Sequence, residues 1–289
     1  MVAVAKAPLR LVIPGGAAIL QIPDELMADF RAFAPDWPES DDAPIAATLT
    51  VRRQAEGWRI EGPDHAAPDQ LYSQGYELAN ALLGAMTACY LARDPRLVCL
   101  HAAAVDLGEA GLVVLLGQNF AGKSTLATAL AAQGLPLFCD DRLLVNWEWN
   151  PEGLALGAAT KLRLPLPPGA DATMQAFVDR HAVWRTEDFA ILDGAGVARA
   201  WFGARRRLAG LVLLERLAED MVPVLSALSR PDAVRALLQQ HFAPHLSTAD
   251  LLRACTAVAT AIPAWRYRYS GCSDAAAALL AGLAGEIAS

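Results

Sequence analysis

A glycine-rich loop between an apolar run and a helix-like segment constrains this chain more than any other feature. Residues 117–124 read GQNFAGKS and match the pattern G-x-x-x-x-G-K-[ST] at every fixed position. The apolar run before it, residues 111–116, is typical of a buried parallel strand. Residues 123–133 predict a helix that ends at Gly134. Strand, glycine loop and helix follow one another without a break, which predicts a phosphate-binding loop in an α/β fold.

The residue types of this loop suit a nucleotide. Glycines let backbone N–H groups converge on phosphate oxygens, and the N-terminus of the helix adds partial positive charge. Lys123 is expected to reach the β- and γ-phosphates, and the Ser124 hydroxyl to bind Mg²⁺. A glycine turn with an incidental lysine is the alternative. The predicted nucleotide-binding residues are Gly117, Asn119, Ala121, Gly122, Lys123, Ser124 and Thr125.

Two adjacent carboxylates follow the next apolar run. Residues 135–139 predict a second strand of the same sheet, and Asp140 and Asp141 come at its carboxyl end. Ligands of open α/β sheets bind at the carboxyl ends of strands, so we expect both acids beside the phosphates. Neighbouring side chains of a strand point to opposite faces, which predicts different roles. One acid would bind Mg²⁺ and the other would accept a proton from an attacking hydroxyl; a solvated turn is the alternative.

A histidine lies in the apolar run that precedes the loop. Residues 97–105 predict one strand, which carries His101. The pKa of a histidine near neutrality suits it to orient or polarise a catalytic acid. A packed, hydrogen-bonded core histidine is the alternative.

The strand with His101, the loop at residues 117–124 and the pair Asp140-Asp141 together resemble the catalytic domain of HPr kinase/phosphorylase. The nucleotide fold of that family is similar to that of phosphoenolpyruvate carboxykinase. The resemblance covers residues 97–145 and implies a P-loop-containing mixed α/β sheet of the HPr kinase type. It also implies that Asp140 is the general base, that His101 is its neighbour and that Asp141 is the acid on the metal side.

Two departures from that family limit what the resemblance implies. The C-terminal signature of the family has no counterpart that we can place, and the first hundred or so residues do not resemble the N-terminal domain of HPr kinase. HPr is therefore not implied as a substrate. The closer resemblance is to HPr-kinase-related proteins, some of which phosphorylate serine on peptides made by bacterial biosynthetic clusters.

The chain predicts an N-terminal α+β region at residues 1–95 and a kinase domain at residues 96–289. The elements expected in the first region are strands at 9–14 and 18–22, a helix at 24–33, a hairpin of 45–52 with 57–60, and a long helix at 71–92. Those expected in the second region, besides the motif elements, are a hairpin of 142–149 with 154–158, a strand at 208–214, a helix from Ser229 to about 242, and a late strand with Trp265, Tyr267 and Tyr269 packed inward.

The composition of the chain argues against several classes of protein. The net charge of −7 argues against a general nucleic-acid surface. Five scattered cysteines without a C-x-x-C pair predict reduced core residues of a cytoplasmic protein. The uncharged runs at residues 78–92 and 124–139 are too short to span a membrane, so no membrane partner is expected. The other histidines have no acid or cysteine at metal-ligand spacing, so no zinc site is predicted.

We therefore predict a kinase that uses ATP or GTP with Mg²⁺, with Asp140, His101 and Lys123 as catalytic residues and Ser124 and Asp141 at the metal. The expected acceptor is serine of a peptide or protein. A small-molecule kinase and a nucleotide-binding switch without phosphotransfer are the alternatives. Lys161 and Arg163 share one strand face and are candidates for contact with substrate, although such a face is often only solvated. The oligomeric state stays open, a homo-oligomer included.

Overall fold

The computed structural model describes residues 8–63, 66, 69–148, 150–217, 221–271 and 273–287. Two compact units make up the chain: Met1–Pro95 with Ala243–His245, and Arg96–Phe242 with Leu246–Ser289. Each unit has its own mixture of strands and helices, so the fold is mixed α/β. In the described part of the chain, no helix is both long and apolar enough to cross a membrane.

The described residues of the first unit form a five-stranded sheet and two helices. The sheet has the order β1–β2–β3–β4–β5, in which only the β2–β3 pair is parallel. Its elements are β1 (Leu9–Ile13), β2 (Gly16–Gln21), α1 (Asp24–Phe33), β3 (Ile45–Gln54), β4 (Gly57–Glu61), β5 (Leu71–Tyr72) and α2 (Gly75–Leu91). Helix α1 buries Leu26, Phe30 and Phe33, which lie on one helical face. The helix expected from residue 71 begins later, because the backbone of Leu71 and Tyr72 pairs with β4.

The second unit holds a ten-stranded sheet and a three-stranded sheet. Its elements in chain order are β6 (Leu97–Leu100), β7 (Ala103–Asp106), β8 (Leu112–Leu116), α3 (Lys123–Ala132), β9 (Leu137–Cys139), β10 (Leu143–Asn146), β11 (Glu152–Leu154), β12 (Thr160–Arg163), α4 (Ala172–His181), β13 (Ala182–Arg185), β14 (Phe189–Leu192), β15 (Arg205–Arg216), β16 (Val224–Ala227), α5 (Arg230–Gln239), β17 (His241–Phe242), α6 (Thr248–Ala261), β18 (Ala264–Tyr269) and α7 (Ser273–Ile287).

The directions of the strands bring the carboxyl ends of several of them to one edge of the large sheet. Its central part has the order β9–β7–β8–β15–β18–β16, and β8, β15 and β18 are mutually parallel. Strand β7 is antiparallel to both β8 and β9, so β9 runs in the direction of β8. The carboxyl ends of β8, β9, β15 and β18 therefore lie at the same edge. Strands β11, β10, β6 and β17 extend the sheet from the first residues of β15.

The core of this unit packs around β8 and α3. All five residues of β8 are buried, as expected for a strand covered on both faces. Helix α3 is rich in alanine and leucine, and its buried residues join a cluster with β12, β14, β18, α4 and α7. Trp265, Tyr267 and Tyr269 of β18 belong to the same cluster, which confirms that they pack inward. This packing holds the first turn of α3 at the shared carboxyl edge.

The prediction of a single strand over residues 97–105 is wrong. The run divides at His101 into β6, which pairs with β10 and β17, and β7, which pairs with β8 and β9. The N–H of Ala102 donates to the oxygen of Leu100, and that of His101 donates to the oxygen of Gln240. Hydropathy does not reveal this break, because both strands are buried.

Three other boundaries differ from the expected ones for similar reasons. The hairpin of β10 and β11 is present, but β11 begins at Glu152, within the expected turn, and ends at Leu154 rather than continuing to residue 158. Strand β15 begins at Arg205, because its first residues pair with β11. Helix α5 ends at Gln239, because the next residues pair with β6 as β17. In each case a partner distant in the chain decides where the element begins or ends.

Candidate functional site

The glycine loop (residues 117–124) joins the carboxyl end of β8 to the start of α3. The N-cap of α3 is Gly122, which offers no side chain to the first N–H groups of the helix. Gly122 has a φ of 90°, and a Cβ there would come within 2.4 Å of the Tyr269 hydroxyl. That hydroxyl donates to the oxygen of Ala121 at 2.6 Å and braces the loop against β18. Glycine is therefore needed both for the backbone conformation and for the close approach.

The ammonium group of Lys123 lies against the backbone of the glycine loop. Its Nζ donates to the oxygen of Gly117 at 2.8 Å and to that of Gln118 at 3.4 Å. The side chain is only 7% exposed, and this burial lowers its pKa, whereas the charges of Asp140 and Asp141 act in the opposite direction. A buried ammonium group at the start of a helix that has no side-chain cap gives the loop a positive potential that attracts anions.

Asp140 follows β9 and contacts the residue after the lysine. The Ser124 hydroxyl donates to Oδ1 of Asp140 at 2.9 Å. Asp140 is 4% exposed, and burial, followed by the charge of Asp141, raises its pKa to about 7. The hydrogen bond from Ser124 and the charge of Lys123 oppose that rise. The structure thus brings Lys123, Ser124 and Asp140 together at the carboxyl edge of the sheet.

Asp141 contacts a histidine and an arginine. Its φ of 69° is unusual for a residue other than glycine, and the N–H of Arg142 donates across it to the oxygen of Asp140. Oδ1 of Asp141 lies 3.0 Å from Nε2 of His101, and Oδ2 lies 2.8 Å from Arg142. Although burial raises the pKa of Asp141, Arg142 and His101 hold it well below its usual range. The two acids therefore have different partners, and His101 contacts Asp141 directly.

Gln240 links the histidine to the glycine loop and was missed by the sequence analysis. Its backbone oxygen accepts from the N–H of His101 at 2.7 Å. In the orientation that satisfies its side-chain amide, the nitrogen donates to the oxygens of Gly117 at 2.9 Å and His101 at 3.3 Å. A lone glutamine at the end of a helix carries no local signal for this role. Arg142 was also missed, although it directly follows the acid pair.

The two candidate substrate residues lie in different surroundings. Nζ of Lys161 lies 4.6 Å from the ring centroid of Phe189, on the neighbouring strand β14. The guanidinium of Arg163 lies 4.2 Å from the ring centroid of Phe120, within the glycine loop. Arg163 is therefore adjacent to the loop, whereas Lys161 packs on its own sheet.

The oxygen donors of the site suit a magnesium ion. Ser124 supplies a hydroxyl and Asp140 and Asp141 supply carboxylates, which are hard ligands of the kind that Mg²⁺ prefers. Among the residues that the structure describes, no group of three or more His, Cys, Asp or Glu side chains could hold a metal ion by itself. Magnesium commonly takes only one or two carboxylates and completes its shell with phosphates and water, so this donor set fits a metal that arrives with a nucleotide.

Comparisons with known proteins give a distant structural relationship. No family model and no curated protein matches the chain. One similar solved structure is the HPr(Ser) kinase/phosphatase from Coxiella burnetii, with 14% sequence identity and a TM-score of 0.30. The similarity covers 60% of this chain and 85% of that chain.

The raised pKa of Asp140 predicts that Asp140→Asn stabilises the chain without ligands above neutral pH. The pKa rises from 3.8 to about 7 on folding, so ionised Asp140 lowers stability as the pH increases through that interval. At pH 8 we expect the free energy of unfolding of the variant to exceed that of the wild type by about 2–4 kcal/mol. Near pH 3 the two should be nearly equal, since Asp140 is then largely protonated in both folded and unfolded chains.

Urea denaturation at the two pH values measures this difference. Asp106→Asn is the matched control, because Asp106 pairs with Arg206 at 3.0 Å and its removal should bring no gain at pH 8. A stabilisation by Asp140→Asn of the same size at both pH values would contradict the electrostatic origin.

Proposed function

We propose that the protein is a kinase that transfers the γ-phosphate of ATP or GTP to a hydroxyl group, with serine of a peptide or protein as acceptor. One observation carries the proposal. The first two residues of α3, Lys123 and Ser124, lie beside the buried carboxylate of Asp140, and the Ser124 hydroxyl donates to it at 2.9 Å. A cationic loop and a proton acceptor are thereby combined in one site, which is the combination that phosphoryl transfer to a hydroxyl needs.

The glycine loop is proposed to hold the phosphates. Its backbone N–H groups and the start of α3 offer donors, and the N-cap residue, Gly122, leaves them without a side-chain acceptor. Lys123 would exchange the carbonyl oxygens of Gly117 and Gln118 for phosphate oxygens. The cost of burying this ammonium group is then offset by a stronger partner than a neutral carbonyl.

Asp140 and Asp141 are proposed to have different roles in the reaction. Asp140, with a pKa of about 7, is suited to accept the proton of an acceptor hydroxyl near neutral pH. Asp141 stays ionised because Arg142 and His101 hold its pKa low, which suits it to a cation. A bound Mg²⁺ would neutralise negative charge on the phosphates at Ser124 and Asp141. His101 would orient the carboxylate of Asp141 through its contact at 3.0 Å.

The exposure of the site favours a peptide as acceptor. The side chains of His101 and Asp141 are each 41% exposed. An acceptor therefore has an open approach from the side of the histidine. A peptide or protein segment can use such an approach, whereas a small-molecule kinase usually encloses its substrate.

Transfer from γ-labelled ATP tests the proposal. In the presence of Mg²⁺ we expect label on serine-containing peptides encoded by neighbouring genes, and none on the same peptides with serine replaced by alanine. Label that passes only to small hydroxyl compounds would contradict the peptide acceptor and favour the small-molecule alternative. ATP binding without label on any acceptor would contradict the kinase and favour a nucleotide-binding switch.

A further inference from the structure

An open cavity of about 550 Å³ lies beside the glycine loop. Its lining includes Phe120 of the loop, Pro168 from the segment before α4, and the residues at the carboxyl ends of two strands. These last are Arg216 at the end of β15, Leu217 directly after it, and Ser270 and Gly271 after β18. The volume is in the range typical of small-molecule sites. The proposed phosphate and acid residues do not line it.

The strand order places this cavity on the opposite side of the loop from the acids. The glycine loop follows β8, the acids follow β9 on the β7 side, and the cavity lies at the ends of β15 and β18 on the other side. A phosphate chain held by the loop would therefore have the acids on one side and the cavity on the other. Because the acceptor must meet the phosphates at the acids, the cavity lies where the remainder of the nucleotide would extend.

The residues around the cavity have the chemistry of a nucleoside site. Phe120 is 74% exposed with a φ of 69°, so the loop holds an aromatic ring in solvent, and Arg163 lies over that ring. Such a ring offers a stacking surface to a base. Arg216, which pairs with Tyr269 through the backbone, is exposed at the end of β15. Its Cδ lies 4.0 Å from where a Cβ of Gly122 would be, so its side chain passes along the loop.

We propose that this cavity binds the base and ribose of the nucleotide, with the base against Phe120 and Arg216 beside the ribose and the first phosphate. The inference rests on the proposed function, since it concerns the same nucleotide. It goes further because it assigns the nucleoside to the ends of β15 and β18. The triphosphate and the nucleoside then depend on different residues and can be tested separately.

Binding of Mg²⁺-ATP and of inorganic tripolyphosphate, measured by calorimetry on the full chain, separates the two halves of the site. The affinity of the wild type for ATP should be at least about tenfold higher than its affinity for tripolyphosphate, because base stacking adds binding energy. Phe120→Ala removes the stacking ring and should weaken ATP by about tenfold or more.

Gly271→Trp should fill the cavity and leaves unchanged the residues proposed to hold the phosphates. A Cβ at Gly271 would meet no atom within 4 Å, so the substitution is tolerated by the backbone around it. It should weaken ATP by about tenfold or more and leave the affinity for tripolyphosphate within about threefold. Gly285→Trp is the matched control on α7, where a Cβ also meets no atom within 4 Å. It lies 12 residues beyond Ser273, roughly 18 Å along the helix, and should leave ATP affinity unchanged.

Three results would overturn the assignment. Equal losses for ATP and tripolyphosphate in Gly271→Trp would mean that the cavity serves the phosphates. Unchanged ATP affinity with lost transfer to a serine peptide would mean that the cavity holds the acceptor. A wild-type chain that binds neither ATP nor tripolyphosphate would overturn the proposed function, and the cavity assignment with it.

Discussion

Asparagine at position 140 is expected to lower phosphate transfer by about 10²- to 10⁴-fold while ATP affinity stays within about threefold. The amide has nearly the shape of the carboxylate, and its oxygen can still accept the hydrogen bond that the Ser124 hydroxyl donates to Asp140 at 2.9 Å. The loop and α3 therefore keep their geometry, and the change removes only the group that takes the acceptor proton. Single-turnover transfer from labelled ATP and calorimetric ATP binding measure the two quantities.

Asp106→Asn again supplies the matched control for this prediction. Asp106 pairs with Leu112 at the start of β8, so it lies at the end of the sheet opposite the glycine loop. Its replacement removes a carboxylate without touching the site and should leave transfer unchanged. If higher Mg²⁺ restores transfer in Asp140→Asn, Asp140 acts at the metal and its role as base is contradicted. The contact between Ser124 and Asp140 makes this Mg²⁺ titration necessary.

Much of the loop could be predicted because its signals are local. The apolar run of β8, the fixed glycines and the alanine-rich helix α3 stand next to one another in the chain. The contact between Ser124 and Asp140 also follows from a local pattern, since β9 is the next strand and its carboxyl end lies at the same edge. The assignment of phosphate binding to the loop and of roles to the two acids stays a prediction.

The residues that hold the glycine loop in place could not be predicted, because their contacts join segments that are far apart in the chain. The Tyr269 hydroxyl that bonds Ala121 comes from a residue 148 positions later. Gln240 reaches Gly117 and His101 only because α5 ends where β17 joins β6. A pattern of local hydropathy contains no information about such partners. Only the divided strand at His101 makes the histidine available to Asp141.

Two C-terminal helices were not predicted although one of them has a recognisable start. Ser247 caps α6 by accepting from the N–H of Asp250, a serine followed three residues later by an acid. Helix α7 has no such signal in its described residues and consists largely of alanine, leucine and glycine. Its existence depends on packing against α3 in the core, which composition alone does not reveal.

Lys123→Met is expected to weaken ATP binding by about 100-fold or more, because removal of one partner of a buried charge pair leaves the phosphate charge unpaired. Methionine fills nearly the same space, and Gly117 keeps the hydrogen bond from Gln240, so the loop should remain folded. Equilibrium binding of Mg²⁺-ATP measures the loss. Arg253→Met, which removes the same charge from an exposed position of α6, should leave the affinity unchanged. Lys123→Arg should also bind weakly, since Lys123 is only 7% exposed and its surroundings hold a compact ammonium group rather than a planar guanidinium. ATP affinity that survives in Lys123→Met would show that the glycine loop does not hold the phosphates, and would remove the basis of the proposed kinase.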